Sequence, residues 1–98
     1  MTVERSRDYE LIIIVSPEAN DDEVAAAQER VDSLVEGKGG EVTHHETWGL
    51  RRLAYPIKKF QEGNYLLSRF TSSPGTAIEV DRALNADQEV IRHLVVKA

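Results

Sequence analysis

The sequence predicts a two-layer α+β domain with the order β-α-β-β-α-β. Three observations carry this. Val24, Ala27, Val31, Leu34 and Val35 recur at helical spacing, and so do Ala77, Val80, Ala83 and Leu84. Four stretches rich in β-branched, aliphatic and aromatic residues surround these two segments. Each helical segment has its own start signal, Asn20 with Glu23 in the first case and Ser73-Pro74 in the second. Two helices cover one face of a four-stranded sheet, so the other face is left to solvent or to a partner. The order is that of the split β-α-β, ferredoxin-like pattern. It predicts an antiparallel sheet with the first and third strands central and the second and fourth at the edges.

Tyr9 to Val15 reads as the first strand. Tyr9, Leu11, Ile13 and Val15 fall on one face, with Glu10, Ile12 and Ile14 on the other. Residues 1–8, before it, read as a flexible segment, within which Arg5 and Arg7 extend a basic edge if the N-terminus lies beside the last strand. Ser16-Pro17 ends the strand. Asn20 caps the first helix, and Asp21, Asp22 and Glu23 lie in its first turn, where the helix dipole favours anions. Gly37, Gly39 and Gly40 terminate it.

Glu41 to Tyr55 reads as a long second strand interrupted near Gly49, where glycine inside a strand pattern points to a bulge. Lys58 to Gly63 reads as a loop and Asn64 to Thr71 as the third strand, with Leu66, Ser68 and Phe70 on one face and Tyr65, Leu67 and Arg69 on the other. The second helix runs from Pro74 and closes at Asn85-Ala86-Asp87; Val90 to Lys97 is the last strand, with Val90, Leu94 and Val96 opposite Ile91 and Val95.

Ninety-eight residues make one domain, spanning 1–98, large enough to bury about two thirds of its unfolded surface. The absence of cysteine excludes disulfides, thiol nucleophiles and thiolate metal sites and fits a reducing compartment. The longest apolar run, Leu11 to Val15, is far short of the ~20 residues of a membrane span. No apolar signal core precedes it, so a cytoplasmic setting without membrane contact is expected. The net charge of −5 argues against a duplex binder when taken as a sum. Its distribution says more. Acidic residues crowd the first helix, whereas Arg51, Arg52, Lys58, Lys59, Arg92 and Lys97 lie on predicted strands and a loop.

The densest chemistry is Trp48-Gly49-Leu50-Arg51-Arg52-Leu53-Ala54-Tyr55-Pro56-Ile57. Arginines beside aromatics bind phosphates and stack flat groups. Neighbours on a regular strand point to opposite faces, so a bulge or an edge position is needed to bring Arg51 and Arg52 to one patch. Arg51, Arg52 and Tyr55 are candidate RNA contacts, with Lys58, Lys59, Arg92 and Lys97 extending the basic edge. Edge-strand charges that deter aggregation are the other reading. Large aliphatics left on the open face, Ile12, Ile14, Leu67, Leu94 and Val96, mark a protein-partner surface, and Trp48 reads as packing in such an interface.

His44-His45-Glu46 does not make a metal site on a strand, because only His44 and Glu46 share a face. His45 and His93 read as partly buried groups with hydrogen-bond partners. No nucleophile–base pair or phosphate loop is visible; Gly37-Lys38-Gly39-Gly40 lacks the Walker spacing. The chain is expected to be no enzyme, with no cofactor, no metal and no small-molecule substrate.

The run from Trp48 to Ile57 resembles the signature of the bacterial small-subunit ribosomal protein family six (S-six). The likeness continues through Gly63-Asn64-Tyr65-Leu66-Leu67, Val90-Ile91-Arg92-His93-Leu94-Val95-Val96 and the opening Tyr9-Glu10, so it covers Tyr9 to Lys97. The resemblance implies a structural constituent of the ribosome. It implies binding to the central domain of 16S ribosomal RNA as a heterodimer with ribosomal protein S-eighteen. The resemblance favours the RNA reading of the basic residues. The alternative from the residues alone is a regulatory or oligomerisation module that binds a protein through its open face.

Overall fold

A computed structural model of the protein describes residues 6–98. Six elements follow in order: β1 (Arg7–Val15), α1 (Asp21–Gly37), β2 (Glu41–Ile57), β3 (Phe60–Ser72), α2 (Pro74–Ala86) and β4 (Val90–Lys97). The sheet order is β2-β3-β1-β4, antiparallel throughout, as the pattern predicts. The strand β1 begins at Arg7, two residues earlier than expected, so Arg7 and Asp8 belong to the sheet. Arg5 lies outside the described residues.

Both helix starts form as their sequences dictate. The Asn20 side chain accepts from the Glu23 amide at 2.8 Å, and the Glu23 carboxylate accepts from the Asn20 amide at 3.1 Å, a complete capping box. Ser73 caps α2 ahead of Pro74. The main core lies between helices and sheet. Tyr9, Leu11, Ile13 and Val15 of β1, Leu66 and Phe70 of β3, Ala27, Val31 and Val35 of α1, and Ala77, Val80 and Leu84 of α2 all meet there. Ala83 is exposed rather than part of the α2 stripe, and Thr76 is buried instead. Gln28 donates to the buried Ser68 hydroxyl at 2.7 Å, so the polar group on the core face of β3 is satisfied.

Three irregularities shape the rest. The strand β4 has an extra residue at Ile91, because Val15 pairs with Val90 while Ile14 pairs with Arg92. This bulge breaks the alternation assumed from sequence. Val90 joins the helix-side core, and Ile91 and Arg92 both serve the opposite face. The strand β2 leaves regular register beyond Arg52: Arg52 pairs with Glu62, and Ile57 with Phe60. Leu53 thereby packs with Ile14 and Ile91 in a second, smaller core on the open face, joined by Ile57, Phe60 and Tyr65. Gly63 permits this close approach, since a Cβ there would lie 2.4 Å from Ile14 Cγ2.

The third irregularity replaces the predicted Lys58–Gly63 loop. The turn is only two residues, Lys58 and Lys59, with φ of 49° and 71°. Positive φ at both central positions is the pattern of a tight I′ hairpin turn, for which Asn-Gly is the favoured pair. Lysines there are strained. Replacing the pair (Lys58→Asn with Lys59→Gly) is expected to stabilise the fold by about 1 kcal/mol. Chemical denaturation checks this; an unchanged or lower stability contradicts it.

Candidate nucleic-acid interface

Gly49 builds the site. Thr47 pairs with Leu66 and Gly49 with Tyr65, so Trp48 is the extra residue of a bulge, and Gly49 takes φ 78° to make it. Freed from the ladder, the Trp48 ring lies parallel to Tyr65, with centroids 6.2 Å apart and planes 10° from parallel. The indole Nε1 donates to Glu46 Oε2 at 3.4 Å, and Arg51 Nε donates to the Trp48 carbonyl at 3.2 Å. Trp48, Arg51, Arg52 and Tyr65 line one groove. Arg51 and Arg52 follow in regular register, opposite Gly63 and Glu62, and both line this groove from the edge strand β2, so the edge position rather than the bulge lets them share it. Neither forms an ion pair among the described residues.

A second polar cluster closes the irregular end of β2. Arg92 Nη1 donates to Tyr55 Oη at 3.0 Å, tying the hairpin to the far edge strand. Lys58 shares a cleft with Arg92, His93 and Asn85. Lys59 stays on the turn. Lys97 is not brought to this cluster. It pairs with Tyr9 at the other end of β4, near Arg7, where the Ala98 amide donates to the Asp8 carbonyl at 3.0 Å. The basic residues therefore form two groups at one end of the sheet and an isolated pair at the other.

The apolar surface is smaller than the sequence predicts. Leu94 and Val96 are exposed on the open face, at 53% and 42%, and Ile12 is half-buried between Leu94 and Leu67. Ile14 and Leu67 are buried, Ile14 under Leu53 of the same chain, and neither offers much surface to a partner. Trp48 is exposed at 42% and belongs to the arginine groove rather than to the Leu94–Val96 patch. Arg69 Nε donates to Glu10 Oε2 at 3.2 Å, a cross-strand ion pair on the same face.

The histidines divide. His93 Nε2 lies 2.7 Å from Asp81 Oδ1 with its side chain largely buried, as expected. His45 is exposed and 4.0 Å from Asp32, not a partly buried hydrogen-bonded group. Sequence reading also missed Leu53 as a core residue. The available signal was Gly63, read as the end of a loop but lying in β3 against Ile14, the residue that Leu53 covers.

An α+β sandwich with an open, aromatic and cationic sheet face is a binding scaffold. Among the described residues no three acidic or histidine side chains converge as metal ligands. A family profile described as ribosomal protein S6 matches residues 8–97. The small ribosomal subunit protein bS6 of Desulforamulus reducens is 41% identical over 91 residues, covering 93% of this chain and 96% of the relative. That of Clostridioides difficile is 40% identical over 92 residues, covering 94% and 99%. The crystal structure of 30S ribosomal protein S6 from Thermotoga maritima superposes with a TM-score of 0.89 at 29% identity, covering 96% of this chain and 89% of that one. The chain belongs to the ribosomal protein S6 family, whose members are structural components of the small ribosomal subunit and not enzymes. It is accordingly a cytoplasmic, ribosomal protein.

Proposed function

We propose that this chain binds the central domain of small-subunit ribosomal RNA as a heterodimer with ribosomal protein S-eighteen. The observation that carries the reading is the shared face. The exposed aliphatics Leu94 and Val96 lie on the same side of the sheet as Tyr65, whose ring floors the Arg51–Arg52 groove. Ile12, Leu94 and Val96 take the protein partner. Arg51, Arg52, Tyr55, Lys58, Lys59 and Arg92 take phosphate and sugar. A chain of net charge −5 supplies few cations, so the partner completes the RNA-binding surface.

Leu94→Asp tests the partner half, with Ile78→Asp as control. Ile78 is equally exposed, at 55%, but sits on α2 on the helix side of the sheet. The Leu94 variant is expected to lose S-eighteen affinity by about tenfold or more, because it places an unpaired charge in a desolvated interface. The Ile78 variant is expected to bind as the parent does. Equal binding by both variants in a sedimentation assay overturns this placement.

A further inference from the structure

We propose that the Trp48 groove is a binding site for one unpaired nucleotide, with the base stacked on the indole and its phosphate held by Arg51 and Arg52. This rests on the RNA-binding reading above and goes beyond it by naming what the RNA must present there. It also moves Trp48 from the protein interface, where sequence alone placed it, to the RNA.

The chemistry of the lining selects the occupant. The groove has two aromatic faces and two guanidiniums and no aliphatic side chain. An apolar side chain of a protein partner would find its best surface at Leu94 and Val96, on the opposite edge strand. A planar base finds a platform: Trp48 is backed by Tyr65 in parallel, which fixes the indole and leaves it exposed at 42%. The Arg51 side chain is anchored through Nε to the Trp48 carbonyl, and its Nη groups remain available to an anion. Arg52 adds a second cation at the rim of the same groove. Glu46, bonded to the indole N–H, keeps phosphate away from that edge and is an acceptor for an exocyclic amino group. A base paired inside a helix cannot expose its face, so the site requires a bulged, looped or terminal nucleotide.

The chain has a single tryptophan, which makes the site directly observable. The experiment titrates a central-domain ribosomal RNA fragment into the assembled pair of this chain with S-eighteen. It reads both affinity and the part of the indole emission that a Trp48→Phe chain lacks. The expected result is quenching of Trp48 on RNA addition and acrylamide access lost only when RNA is present. Trp48→Leu should weaken RNA binding by about tenfold or more, while Trp48→Phe, which keeps a smaller aromatic face, should recover part of that loss. RNA that binds with full affinity and leaves Trp48 emission unchanged overturns the nucleotide site and leaves the RNA-binding reading standing. So does parent-like affinity of the Trp48→Leu pair. Protection of Trp48 by S-eighteen alone, before RNA, overturns it in favour of a protein occupant. A pair that forms but does not bind the RNA overturns both readings.

Discussion

Leu53→Ala is expected to cost about 2–3 kcal/mol and to release the distal part of the β2–β3 hairpin from the sheet. Leu53 is the side chain that β2 inserts into the open-face core, where it covers Ile14 and Ile91. Its truncation removes that cover and leaves a cavity too shallow to collapse well. For a domain of this size the loss corresponds to a fall in melting temperature of about 10 °C or more. Gly63→Ala attacks the same junction from the other side. Its Cβ would meet Ile14 Cγ2 at 2.4 Å, and Ile14 is already wedged under Leu53, so about 1–3 kcal/mol of overpacking strain follows. Amide exchange separates this local effect from general destabilisation. Protection should fall first across Leu53–Phe60 and persist at Leu11 and Leu66 in the main core. A Leu53→Ala change within about 0.5 kcal/mol, the range of an ordinary surface substitution, contradicts the second core. The junction also bears on the proposed RNA contacts, because the Arg92–Tyr55 hydrogen bond holds only while the hairpin stays folded over.

Arg51→Ala combined with Arg52→Ala is expected to weaken RNA binding by the S-eighteen pair about ten- to hundred-fold and to lower the salt slope by about one to two. Both arginines are exposed and form no ion pair among the described residues, so removing them leaves no buried charge behind. Stability should hardly move. This separates a binding role from the edge-protecting one. If the arginines only deter edge pairing, the double variant aggregates or self-associates while the soluble fraction binds RNA normally.

The regular part of the architecture is legible because each device is local. The capping box at Asn20, Pro74 after Ser73 and the two helical stripes are read directly from residue type and spacing, and they fix the strand order through the fold pattern. What the sequence hides are the departures from period two. Gly49 announces its bulge, and with it the freeing of Trp48 to stack on Tyr65, whereas Arg51 and Arg52 share the groove from a regular edge strand. Ile91 announces nothing, because a β-branched residue fits a regular strand as well as a bulged one; hence Val90 was expected beside Leu94 and lies instead beside Val15. Lys58-Lys59 carries no turn signal, since its left-handed backbone favours residues the chain does not have there. The burial of Ile14 depends on Leu53 reaching it through an irregular stretch of β2, which no strand pattern encodes.

On the proposed function, RNA binding belongs to the pair and runs through the arginine groove. The direct test is a titration of a labelled central-domain ribosomal RNA fragment with this chain alone, with S-eighteen alone and with both, at two salt concentrations, repeated with the Arg51→Ala, Arg52→Ala chain. Tight binding only by the pair, weakened by the double substitution, is the predicted result. Tight binding by the isolated chain, or a pair indifferent to both arginines, contradicts it.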